Sequence, residues 1–337
     1  MIFLQGEREI LSPFLISKSS FTIMLTRRHI RVKVMQSLYA FNQSQNDNLA
    51  TEEKFLLKSM QEMYDLFLLQ ISLITEIREH AETYLEKSQQ KHLATSEEKD
   101  PNRKFVNNQV FQILNENESI QNALEKHKIN HWKQDDEYVA IIWNEIRNSL
   151  TYQEYLETRE SSFKEDKDFI VHIFKEIIAP NDKLYDYLED KKLTWVDDLP
   201  LVNTAILKFL QKMKESTGRE KKITQLFKNE EDKEFAIKLF RKTYLNDEDL
   251  SEEMLGKTPN WDKDRIAEVD MVLIKMAICE FLKFTSIPVK VTINEYLEIA
   301  KEYSTPKSSI FINGVLDKLS KEYQTEDKLN KTGRGLM

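Results

Sequence analysis

Glycine is scarce in this chain, with six residues and seven prolines in 337. β-rich and dinucleotide-binding folds spend glycine on tight turns and phosphate-holding loops. The shortage therefore favours an all-α chain of helices joined by short polar connections. The length fits two or three domains. No internal repeat at a fixed period points to a solenoid. Cys279 is the only cysteine, which excludes a disulfide within the chain and cysteine-based zinc sites and fits a reducing cytoplasm. The longest central apolar stretch, 66–75, is closed by Asp65 and Glu76 and is too short to span a bilayer. Residues 1–23 lack the basic start of a signal peptide, and Glu7, Arg8 and Glu9 interrupt any apolar core. They read as an extension, disordered or not translated, with Met24 as the expected translation start.

Apolar periodicity places the first helix over 27–43, with Thr26 as its N-cap and Ile30, Val34, Leu38 and Phe41 as one buried stripe. Asn46-Asp47-Asn48 is expected to end it. A long apolar helix follows over 52–86, then a polar break over 88–104. Helical patterns continue over 105–129, 138–156, 163–178 and 202–213, with a linker at 213–222. Beyond residue 232 a helix is expected over 235–244, an acidic connection over 246–253, and a helix apolar on nearly every side over 264–284. Thr292-Ile293-Asn294-Glu295 has the form of a capping box opening the next helix. Thr305-Pro306 supplies a cap and a first-turn proline for the last one. There the helical period runs straight through Asn313-Gly314, so Gly314 is expected to permit close helix contact or backbone approach to a ligand.

Residues 24–46 hold Arg27, Arg28, Arg31 and Lys33 and no acid, in a chain of formal net charge −8. The cations gather at the start of the first helix, where the dipole is positive, and each costs about 0.3–1 kcal/mol there. Side-chain cations converging with free backbone N–H groups suit an anion, a phosphate chain above all. Local charge decides nucleic-acid binding, so the acidic total does not argue against it. The competing reading is a helix end whose cations pair with acids elsewhere in the chain.

Other candidates are weaker. Gly256-Lys257-Thr258 evokes a phosphate loop, but Ser251 stands where the earlier glycine is needed. His127 and His131, followed by Asp135, lack a third firm ligand and read as surface histidines. The acidic runs at 135–137 and 247–249 read as solvated caps and turns. No nucleophile–base arrangement is visible, and Cys279 lies in the most apolar helix, where a thiol is inert. The expectation is a non-enzyme without metal or cofactor.

Two segments resemble the NusB family of bacterial transcription antitermination factors. The first is Arg27-Arg28-His29-Ile30-Arg31 running through Val34-Met35-Gln36-Ser37-Leu38-Tyr39. The second is P-V-K-V-T-I-N-E-Y-L-E-I-A-K at 288–301 with F-I-N-G-V-L-D-K at 311–318. The resemblance implies a pair of three-helix bundles formed by 24–48 with 234–325. Residues 49–233 are then an inserted helical region and 326–337 a flexible tail. It implies that the protein binds boxA RNA together with NusE, a small-subunit ribosomal protein, within an RNA polymerase antitermination complex that reads through ribosomal RNA operons. Arg27, Arg28, Arg31 and Lys33 would touch RNA, with Lys307 and Phe311 on the same surface, the aromatic stacking on an unpaired base. Asp270 and Glu280 would face the protein partner. Lys307 stands where the family usually has an acid, and Cys279 where it has an aromatic. Two rival readings are a protein-interaction scaffold without an RNA role and a relic of an RNA methyltransferase accessory domain. The second would need a glycine-rich cofactor fold and a catalytic cysteine, and the sequence has neither.

Overall fold

The computed structural model describes residues 24–44, 48–216, 218–220, 222–255 and 266–332. The expectations for residues 1–23, for Asn46-Asp47 and for Gly256-Lys257-Thr258 lie outside them.

Helix α1, Arg27–Gln43, starts where a side chain can take its free amides. Thr26 is extended, its hydroxyl accepts the His29 N–H, and its own N–H donates to His29 Nδ1 at 3.2 Å. A histidine thus fills the place that glutamate usually takes in a capping box. Ile30, Val34, Leu38 and Phe41 are all buried. Helix α2, Leu49–Gln89, is apolar along most of its length.

The described chain forms two compact units. One holds residue 24 with 61–225, the other 25–60 with 226–332. The division falls nearer the middle of the chain than the expected junctions at 48/49 and 233/234. Two contacts explain why. Arg241 pairs with Glu53 in the first turns of α2, and the Leu25 N–H donates to the Leu226 carbonyl at 3.0 Å.

In the first unit, α3 (Ser96–Lys99), α4 (Gln109–Glu116), α5 (Glu118–Lys126), α6 (Asp136–Asn148), α7 (Leu150–Tyr155), α8 (Phe163–Ile173), α9 (Asp182–Lys191) and α10 (Thr194–Gln211) surround an aromatic core. Phe105 contacts Phe111, Trp143, Tyr152 and Phe169. Two of the expected helices are each broken by an internal cap. Asn117 accepts the Ile120 N–H and opens α5, and Ser149 accepts the Tyr152 N–H and opens α7. Helix α10 begins eight residues before its expected start and carries Pro200 inside it.

The second unit adds α11 (Glu230–Leu245), α12 (Asp247–Leu255), α13 (Glu268–Lys283), α14 (Val289–Tyr303) and α15 (Ser308–Thr325). The acidic stretch expected as a connection is α12, whose Asp247, Glu248 and Asp249 lie in the first turn, where the dipole favours them. Helices α1, α11 and α13 pack mutually, as do α13, α14 and α15, so the two three-helix groups share α13. That sharing explains why α13 is buried nearly all round.

The expected capping box at Thr292 is not formed. Pro288 precedes the first helical residue and α14 begins at Val289, leaving Thr292 inside the helix and buried. Thr305 and Pro306 form the turn before α15, which begins at Ser308. Gly314 lies within α15, and a Cβ added there meets nothing within 4 Å, so close helix contact is not its role.

Candidate nucleic-acid interface

The three arginines of α1 lie within five residues, yet the structure gives each a different environment. Arg31 is 2% exposed and donates through Nε and Nη2 to Glu280 of α13, at 2.6 and 2.9 Å. Glu280, wholly buried, also accepts the hydroxyls of Thr292 (3.0 Å) and Tyr296 (2.9 Å) from α14. Four donors thus surround one carboxylate, and the network ties α1 to α13 and α14. Burial acts against the Arg31 charge, but Glu280 more than offsets it, and the guanidinium is held above its ordinary pKa. Burial, reinforced by the Glu280 charge, pushes the Tyr296 phenol well above its usual value.

Arg28 is partly exposed and forms a two-point fork with Glu295 of α14, Nε to Oε2 and Nη2 to Oε1, both at 2.9 Å. Glu298 lies 3.9 Å from Nη1, and Glu302 adds its charge from the same helix face. The bond to Glu295 outweighs burial and raises the Arg28 pKa. Glu295 also lies 3.8 Å from Arg31 Nη1. Arg27 is 42% exposed, gives a single N–H to the buried Asp232 of α11 at 3.0 Å, and lies over the Phe235 ring at 5.1 Å.

These environments revise the expected site. Arg31 and Lys33, expected to touch RNA, are buried in the second unit. Asp270 and Glu280, expected to face a protein partner, are buried as well. Glu280 serves Arg31, and Asp270 accepts the Ser304 hydroxyl at 2.6 Å at the turn leading to α15. The Ser308 hydroxyl oxygen lies 2.9 Å from that of Ser304. Lys307 is exposed at the start of α15, its carbonyl accepting the Phe311 N–H at 3.2 Å. Phe311 is half-buried, and the exposed apolar side chain beside it is Ile310, at 75%. The sequence reading names two of the acids that meet the arginines, Glu280 and Glu295, but for other roles. Glu295, Glu298 and Glu302 recur at helical spacing and are legible as a stripe, but nothing local says that the stripe meets α1.

The remaining candidates are not gathered into a site. His127 Nδ1 lies 2.7 Å from Asp65, at the C-terminal end of α5, whereas His131 sits in a separate short turn, so the two share no helix face. Both are half-buried rather than on the surface. Asp135 is held below the usual carboxylate range by Lys191 and the Tyr187 hydroxyl. Cys279 is buried, and burial pushes its thiol up to about 11. No helix among the described residues is long and apolar enough to cross a membrane.

The NusB family model matches residues 203–321, which include α11 to α14 and most of α15. The transcription antitermination protein NusB of Salinibacter ruber is 45% identical over 105 residues, 31% of this chain and 66% of that protein. Its counterpart in Chloroherpeton thalassium is 41% identical over 31% of this chain and 50% of its own length. That of Koribacter versatilis is 39% identical over 29% and 68%. The chain thus spans between half and about two thirds of these relatives. No solved structure matches.

Proposed function

This chain belongs to the NusB family, and we propose that it is a cytoplasmic, non-enzymatic transcription antitermination factor that binds boxA-like single-stranded RNA together with NusE. In that role it supports read-through of ribosomal RNA operons by RNA polymerase. The observation that carries the reading is family membership joined to an exposed arginine at the start of α1. Arg27 supplies a phosphate contact, Arg28 a second one, and Lys307 with Phe311 extends the surface from the start of α15. Arg31 positions α1 from within the core and does not touch RNA. NusE then docks on exposed side chains other than Asp270 and Glu280.

One observation favours the scaffold reading: each of the three arginines already has a carboxylate partner. A titration separates the two. Affinity for a boxA RNA and for a scrambled RNA is measured with and without NusE over a salt series. An RNA factor prefers boxA and tightens with NusE, and three contacts to phosphate give log K a slope of about −2 against log salt. Equal affinity for both RNAs in the presence of NusE would sink the specific reading.

A further inference from the structure

The arginines of α1 differ in how much of each guanidinium remains for a ligand. Arg31 is sealed on Glu280, and Arg27 commits one N–H while staying 42% exposed. Arg28 stands between them. Its Nε and Nη2 are both taken by Glu295, and these are donors that a phosphate would engage in the same two-point manner. Glu298 stands 3.9 Å from the remaining nitrogen, and Glu302 completes a row at spacings of three and four along α14. A phosphate arriving at Arg28 must displace Glu295 and settle beside two further carboxylates.

We propose that Glu295 and Glu298 are an intramolecular competitor at Arg28, so that RNA phosphate binds this arginine only by exchange and the α14 acids set the affinity of the site. The proposal rests on the RNA-binding reading above. The geometry suits exchange. Arg28 and Glu295 are 24% and 22% exposed, against 2% and 0% for Arg31 and Glu280. Partly solvated pairs are weakly held and open readily, whereas a sealed pair does not.

The test is fluorescence anisotropy of a labelled boxA RNA with the full chain, as wild type, Glu295→Gln, Glu298→Gln, Arg27→Ala, Arg28→Ala, and Arg28→Ala combined with Glu295→Gln. Glu295→Gln should tighten binding about three- to tenfold. Glu298→Gln should act in the same direction to a smaller extent, and it keeps the test sound if Glu295→Gln fails to fold. The gain should vanish in the Arg28→Ala background. A gain that persists there marks a general charge effect and overturns the competitor. So does the absence of any gain in both glutamine variants while Arg27→Ala still weakens binding, an outcome that leaves the RNA reading standing. If no variant binds boxA above a scrambled RNA, both readings fail together.

Discussion

Replacing Arg31 by alanine leaves the Glu280 carboxylate with only Thr292 and Tyr296 as side-chain donors in a site without solvent exposure. Stranding a buried charge in this way costs about 3–5 kcal/mol. Arg27→Ala removes a half-open pair and should cost about 1 kcal/mol or less. Urea unfolding of the two variants checks the contrast, and equal losses would refute the division of roles. Cys279 gives a prediction in pH. Burial raises its thiol from an ordinary value near 9 to about 11, so above pH 9 the unfolded chain gives up a proton that the folded chain retains. Stability attributable to this group is complete below pH 9 and is lost as pH rises through 11. Wild type should therefore lose stability over that window relative to Cys279→Ala; parallel curves would contradict the assignment. At this scale the sequence was legible only in part. Helical spacing sets both Arg27 and Arg31 beside the apolar stripe of α1. Which of them meets α13 is a tertiary fact, and burying Arg31 works only because Glu280 arrives from 249 residues away.

Among the elements, α1 was readable because its cap, apolar stripe and end agree with one another. Helices α5 and α7 were not separated from their neighbours. Asn117 and Ser149 are good caps, but the apolar period carries on across both. At α14 two start signals competed, and Pro288 won over Thr292 because a fixed φ suits the residue leading into a helix. The hydroxyl left over within the helix became a donor to Glu280. Gly314 offers the cleanest test at this scale. It is exposed, inside α15, with open space around the missing side chain. Gly314→Ala should stabilise the protein by about 0.5–1 kcal/mol. Thermal unfolding measures this, and a loss of stability would mean that the helix needs glycine there.

At the scale of the whole molecule, the NusB match covers residues 203–321, while α1 stands far upstream and packs against α11, α13 and α14. Helical periodicity shows each segment to be amphipathic but carries no information on which distant segment completes its core. The resemblance of both ends to one family joined them in the sequence, and the Arg31–Glu280 pair joins them in the structure. On the proposed reading Arg27 is a working RNA contact and Arg31 a buried support. The most direct measurement is the salt dependence of boxA affinity for wild type and Arg27→Ala, both checked for native stability. Loss of one phosphate contact should weaken binding and flatten the slope by about 0.7. Identical affinity and slope in the two proteins would contradict the account.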